Sequence, residues 1–227
     1  MNFVGHAMVA RWQRDEPGFV LGAMLPDLAS MCGARLQEAV PEPLAAGVTF
    51  HHRSDAAFHD TAAFTELCAE ARASLEAAGT GRYVAMAAAH VGIELLLDGV
   101  WLDEPGVDEA YLRAIAHTEE LGTAALRWRR AEHGDRFSRL CERLRAWGSP
   151  DGYRDPDEVG RRLARILARR PRLAPGPGDE ARLIAWAHEA RPAVAAAAPR
   201  LREELADRLG PGDRSVAVPI SRPGGVS

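Results

Sequence analysis

Two sets of ionisable residues repeat at a spacing of four: His51, Asp55 and His59, and His90, Glu94 and Asp98. On an α-helix a four-residue step returns to nearly the same face, so each set forms one stripe. Glu94 lies within Val91-Gly92-Ile93-Glu94-Leu95-Leu96-Leu97, a run that is apolar on nearly every side. An unpaired carboxylate buried there costs several kcal/mol or more, on the order of a whole domain's stability, so it needs a compensating partner. A bound metal ion is the simplest one. With about 1.5 Å of rise per residue, His51 and Asp55 are about 6 Å apart and His51 and His59 about 12 Å. His51 and Asp55 can share an ion, which leaves His59 for a second ion, a substrate or the surroundings of the first. The same limit applies to His90, Glu94 and Asp98. Mixed imidazole and carboxylate donors suit Mn²⁺, Fe or Zn²⁺ better than Ca²⁺, which prefers oxygen alone.

Two earlier residues are candidate companions. His6 follows Asn2-Phe3-Val4, and Asp27 closes the apolar segment 18–26. Each candidate has a plainer competing reading. His6 fits a core histidine bonded to backbone, and Asp27 a cap or turn beside Pro26. His51 and Asp55 fit an exposed ion-paired helix face, Glu94 a carboxylate buried against an arginine, and Asp98 a solvated or capping residue near a helix end. His52 points about 100° away from His51 and is expected on the surface. So are His117, His133 and His188, which stand among polar residues. The sequence contains no Gly-rich phosphate loop, G-x-S-x-G elbow or H-E-x-x-H pair.

The elements that must position these residues read as helices. Strand signals are nearly absent, and apolar residues recur at three- and four-residue spacing through most of the chain. Helices are predicted over 2–14, 17–31, 34–60, 61–78, 81–102, 107–133, 135–147, 156–170 and 179–209. The clearest start is Asp155 as N-cap, Pro156 at the first helical position, then Asp157 and Glu158 where carboxylates favour the helix dipole. The helix it opens turns Val159, Leu163, Ile166 and Leu167 inward and most of Arg161, Arg162, Arg165, Arg169 and Arg170 outward. The expectation is an all-α, single-domain helical bundle over residues 1–209, followed by a loose, breaker-rich tail over 210–227.

Composition bounds the function. The 227 residues are 47% hydrophobic and 26% charged, as in ordinary globular proteins. All 28 basic residues are Arg, a bias that a GC-rich genome accounts for. The net charge of −4 is uneven, with −9 over residues 1–113 and +5 after them, so the second half suits an acidic partner. Arginines alternating with acids, at a pI near 6.1, make no nucleic-acid surface. Three cysteines, without C-x-x-C spacing, indicate neither a disulfide framework nor a thiolate metal site, and a reducing cytoplasm fits best. The first residues lack a basic region before their apolar stretch, and no uninterrupted apolar run is long enough to span a bilayer, so no membrane insertion is expected.

At these residues the sequence resembles the acyl carrier protein phosphodiesterases, also called acyl carrier protein hydrolases, an all-helical and rearranged branch of the HD phosphohydrolases. Met1-Asn2-Phe3 with His6 looks like the family's start, and Gly22 with Asp27 like its Gly-x-x-x-x-Asp element. The segment Gly47-Val48-Thr49-Phe50-His51-His52-Arg53-Ser54-Asp55 is similar to its Gly-Ile and His-Arg-x-x-Asp segment. Tyr153-Arg154-Asp155, Arg169-Arg170-Pro171-Arg172-Leu173 and Pro199-Arg200-Leu201 come next in the family's order, so the resemblance spans roughly residues 1 to 205. Two places depart. His90 and Glu94, followed by Leu95, stand where the family has two Asp four apart, the second followed by His, and His52 stands where Arg is usual.

The resemblance implies an HD-like bundle and a Mn²⁺-dependent hydrolase that removes 4′-phosphopantetheine from the serine of holo-acyl carrier protein. Asp27, His51, Asp55, His90 and Glu94 are then the expected metal ligands. His6 and His59 complete the shell or transfer a proton to the leaving alkoxide. Arg161, Arg162, Arg165 and Arg169 are expected to steer the acidic carrier protein. Phe19-Val20-Leu21-Gly22 with Leu25-Pro26-Asp27 also looks like zinc-dependent phospholipase C-like proteins, which implies lipid or small phosphodiester substrates. The third reading is a non-catalytic helical protein that binds a metal or a partner.

Overall fold

The computed structural model describes residues 1–122 and 124–211; the expected tail therefore lies, from residue 212 onward, outside the described residues. The protein is all-α. Its helices are α1 (Phe3–Gln13), α2 (Pro17–Met31), α3 (Glu42–His59), α4 (Ala62–Ala77), α5 (Arg82–Trp101), α6 (Val107–His117), α7 (Ala131–Trp147), α8 (Pro156–Ala168) and α9 (Asp179–Leu209). A small antiparallel ribbon pairs β1 (Leu36–Ala39) with β2 (Leu126–Trp128), and short 3₁₀ turns lie at Asp151–Tyr153 and Pro171–Leu173.

The sequence pattern explains the layering. Phe3–Ala10 of α1 and Gly18–Leu25 of α2 are buried without a break, as befits helices that are apolar all round and sit in the interior. α5 is also interior. By length and mean hydropathy it is, among the described residues, the one helix able to cross a membrane, and 61% of its most apolar stretch is buried against the rest of the protein. Its run is interrupted by His90, Glu94 and Asp98. α8 begins as expected: the Asp155 side chain accepts from Asp157 N at 2.9 Å, and Val159, Leu163 and Leu167 face inward. α9 continues for 31 residues through Pro192 and Pro199. Both prolines lie on its exposed side, where water can satisfy the carbonyls that lose their N–H donor.

Two predicted helices are too long. The one placed over 34–60 begins at Glu42, because Pro41 holds Val40 in extended backbone and Leu36–Ala39 form β1. The one placed over 107–133 ends at His117; Leu126–Trp128 pair with β1, and α7 starts at Ala131 rather than at 135. The ribbon is held by Glu38 against Arg127 at 2.5 Å and by Val40 N donating to Ala125 O at 2.9 Å. Short strands with so little alternation carry almost no periodic signal.

The crossing of α2 and α3 sets the separation of the candidate ligands that the two helices carry. Gly22 and Gly47 face each other there. A Cβ on Gly22 would stand 2.2 Å from Leu44 O and 2.9 Å from Gly47 Cα, and one on Gly47 would stand 2.2 Å from Phe19 O. The obstacles are backbone atoms, which cannot rotate away. We predict that Gly22→Ala or Gly47→Ala lowers stability by roughly 3 kcal/mol in urea unfolding. Gly122→Ala, with nothing within 4 Å of its added carbon, should change stability by less than about 1 kcal/mol.

Candidate metal centre

The close approach of α2 and α3 brings Asp27 beside His51 and Asp55, while α1 adds His6 and α5 adds His90 and Glu94. His6 is completely buried. Its Nδ1 lies 3.3 Å from Ser54 Oγ, and Ser54 gives its own hydrogen to His51 O at 3.0 Å. The ring proton is therefore assigned to Nδ1, and Nε2 presents a lone pair. That lone pair faces Asp27 Oδ2 at 3.7 Å and Asp55 Oδ1 at 3.7 Å, beyond hydrogen-bond length. Both His6 Nε2 and Asp27 Oδ2 are buried with no hydrogen-bond partner. His51 donates from Nδ1 to Ala23 O at 2.8 Å, which turns a second Nε2 lone pair toward the same place. Donor atoms of His6, Asp27 and His51 all lie within 4.8 Å of one another.

This donor set fits a divalent ion. Zinc-type bonds of about 2.0–2.2 Å place neighbouring ligands about 3–4 Å apart. The backbone carbonyl on His51 and the hydroxyl on His6 are the outer-shell partners that fix ligand tautomers. Burial pushes His6 down to about 3 and lowers His51, so both rings are neutral.

A second group stands beside the first. His59 Nε2, His90 Nε2 and Glu94 Oε1 form a triangle with every edge at 3.2 Å. His59 donates from Nδ1 to Asp55 O at 2.8 Å. The His59 and His90 rings stack at 4.9 Å with 5° between their planes, and Phe64 packs edge-on against both. Phe64 is held by the Thr61 hydroxyl, which caps α4 by accepting from Phe64 N.

Asp55 joins the two groups, with Oδ1 toward His6 and Oδ2 3.4 Å from His59 Nδ1. The Met1 amino group donates to Asp55 Oδ1 at 2.8 Å and to Glu94 Oε1 at 3.0 Å. Burial opposes the charge on Asp55 and Glu94, yet their imidazole neighbours and the Met1 ammonium hold both carboxyls well below the usual range. Asp27 has no such neighbour in contact, and burial pushes it up to about 7. Hydrogen bonds to Asp55 and then Glu94 raise His59 to about 9.

Along α5 the polar stripe descends into the core: His90 is 49% exposed, Glu94 14% and Asp98 0%. Asp98 is neither solvated nor a ligand. It caps α1 from across the core, accepting from Asn2 Nδ2 at 2.7 Å, Gly5 N at 2.9 Å and Val4 N at 3.3 Å. Burial raises its carboxyl well above the ordinary value, against the pull of the Gly5 and Val4 amides.

All seven expected site residues, His6, Asp27, His51, Asp55, His59, His90 and Glu94, thus meet in one region. The α8 arginines do not join them, and one reading of them is corrected. Arg162 is turned inward, stacked 4.5 Å over the Tyr153 ring and bonded to its hydroxyl at 3.0 Å. Arg161 is paired with Asp157 and Glu158 of its own helix. Arg165 and Arg169 remain exposed. His133, expected on the surface, is buried, and its Nδ1 accepts from Arg35 N at 3.2 Å. The expectations for the site omit Ser54, the Met1 amino group and the capping role of Asp98. Ser54 had one signal, its place three residues after His51 on the inward stripe.

Compared with protein families, with curated proteins and with solved structures, the chain finds no match.

Two outcomes test the centre. His51→Ala and Asp55→Ala should each abolish tight Mn²⁺ binding in calorimetry. His117→Ala and His188→Ala, whose rings pair with Glu120 and Asp157 instead, should leave it intact. Binding should also release protons. Raised groups hold their proton below their folded value and must give it up to a metal, so affinity should climb as pH rises through about 7 for Asp27 and about 9 for His59. Calorimetry in buffers of different ionisation enthalpy reads this directly, and pH-independent affinity would show that these groups are not ligands.

Proposed function

We propose that this protein is a metal-dependent phosphodiester hydrolase. The observation that carries the reading is the pair of orphaned buried atoms, His6 Nε2 and Asp27 Oδ2, set beside the His51 lone pair and Asp55. Carboxylate and imidazole lone pairs converging at the edge of an apolar core repel one another unless a proton or a cation lies between them.

Exposure of the second group supports catalysis over a purely structural role. Structural metal sites are closed by protein ligands, whereas catalytic ones keep a position open. Here each group has a partly open member, Asp27 at 26% and His90 at 49% exposure, and Asp55 between them is 35% exposed, so the region can be reached from outside. When bound, a divalent ion supplies Lewis acidity toward a phosphoryl oxygen and acidifies water, and Mn²⁺ is the ion the resemblance favours, with Fe or Zn²⁺ also suited to the donors. Asp55 is placed to serve both groups. His59 has one of two roles: as a metal ligand it gives up the proton that Asp55 and Glu94 hold on it, and outside the metal's shell it keeps that proton for a departing alkoxide. His6 is fully enclosed and suits only the ligand role among the two expected for it. A cysteine nucleophile is disfavoured: burial pushes Cys68 and Cys141 up to about 12 and raises Cys32 as well.

Holo-acyl carrier protein, losing its 4′-phosphopantetheine arm, is the substrate that the sequence resemblance supports, with Arg165 and Arg169 as the exposed cations left to meet an acidic partner. Hydrolysis of lipid or small phosphodiesters is the second reading, favoured by an apolar groove that opens beside His90. Mass spectrometry of holo-carrier protein incubated with enzyme and Mn²⁺ tests the first. Arg165→Glu with Arg169→Glu should then raise KM for the carrier protein severalfold, more at low salt, and spare a small diester. Turnover of the small diester alone would leave the hydrolase standing and remove the carrier protein. Turnover of neither, with metal bound, would leave a metal-binding protein.

A further inference from the structure

A groove of about 360 Å³ runs between α5, α8 and the turn Pro171–Leu173, with His90 among its lining residues. Its walls are Met86, Ala87, Val91, Ile166, Leu167 and Leu173, and Arg170 joins His90 as its other polar lining residue. The volume is within the range of about 300–1,000 Å³ typical of small-molecule sites. Met86 is 52% exposed, and Tyr83, one turn earlier on α5, is 71% exposed, so this end of an otherwise interior helix shows apolar surface to solvent. Among the described residues Arg170 makes no ion pair.

We infer that this groove seats the hydrocarbon chain of a lipid phosphodiester whose phosphate lies at His59, His90 and Glu94. The inference rests on the hydrolase reading and chooses between its two substrates. Three features point the same way. The groove shares His90 with the metal centre, so a chain attached close to the phosphorus enters it directly. Arg170 offers a guanidinium to the diester's negative charge beside the apolar walls, the complement that an anionic headgroup with an apolar tail requires. The lining is poor in hydrogen-bonding groups, which suits methylenes. A phosphopantetheine arm would lay its amides against apolar walls that offer them few partners, whereas each methylene buried there contributes up to about 0.8 kcal/mol.

The test uses the full chain and a series of monoalkyl phosphates, from ethyl to decyl, titrated below their micelle concentrations with Mn²⁺ present. Decyl phosphate should bind about tenfold tighter or more than ethyl phosphate. In Met86→Ser/Leu173→Ser, checked for folding by circular dichroism, ethyl phosphate should bind as before and the gain with chain length should disappear. Met86→Ser alone, at an exposed position, gives a smaller loss without risk to the core. Equal affinity for ethyl and decyl phosphate, or a chain-length gain untouched by the variants, would overturn the groove assignment. Chain-dependent binding without hydrolysis of any diester would sink the hydrolase reading and leave the groove as a lipid site. Hydrolysis without chain dependence does the reverse. A kcat/KM for holo-carrier protein above that for a long-chain alkyl diester would overturn the lipid assignment.

Discussion

Three carboxylates, Asp27, Asp55 and Glu94, are pressed together with imidazole lone pairs at the edge of an apolar core, and most of the architecture serves to hold them there. Left to themselves these groups would separate. What prevents it is backbone contact: Gly22 and Gly47 let α2 and α3 approach until no side chain fits between them, and that crossing keeps Asp27 against His51 and Asp55. The third arm is the Asp98 carboxylate, which accepts from the amides at the start of α1 and so fixes the turn that carries His6. A buried carboxyl capping a buried helix start satisfies donors that would otherwise be orphaned. The repulsion at the centre is thus carried by packing and by one long-range cap, and the Met1 ammonium between Asp55 and Glu94 offsets only part of the charge.

The two candidate ligand groups differ in how their rings are held. His6 and His51 are buried and Asp27 is partly exposed, with the ring tautomers set by Ser54 and Ala23. His59, His90 and Glu94 are set by ring stacking, by Phe64 and by the Asp55 carbonyl, and they open to the surface. Asp55 belongs to both, because one helical position offers a carboxylate with an oxygen toward each. Its place midway between His51 and His59 on α3 is what a four-residue repeat supplies.

Much of this was legible in the amino-acid sequence, and the boundary of what was legible is physical. Helical periodicity located α2, α4, α5, α8 and α9 nearly to the residue, and the rise per residue already separated His51 from His59. Gly22 and Gly47 stood out in the sequence only as parts of segments that resemble a family's, and nothing local to either says that the two meet at a helix crossing. β1 and β2 escaped because each is too short to alternate and each needs the other, more than eighty residues away in sequence. Arg162 reads as a surface charge from its helical phase. Its inward turn depends on Tyr153, a residue outside α8 whose ring and hydroxyl accept the guanidinium. Asp98 shows the same limit: the stripe with His90 and Glu94 is real, but whether its last member meets a metal or the start of another helix is decided by where α1 lands.

That stripe also explains how one helix can serve chemistry and core at once. A helix with polar residues at every fourth position, 20 residues long and otherwise mostly apolar, is poorly oriented by amphipathicity, since from Gly92 to Trp101 nearly all its faces are buried. Its orientation is set by where its charges find partners. Asp98 at the deep end is matched to amide donors, Glu94 in the middle to imidazoles and an ammonium, and His90 at the shallow end to His59 and open space. Turning α5 by a quarter would strip all three of partners together and bury their charges among leucines. The same constraint places Met86 and Val91 on the wall of the neighbouring groove, so the alignment of the candidate ligands with that groove results from satisfying the charges of α5 and needs no separate device.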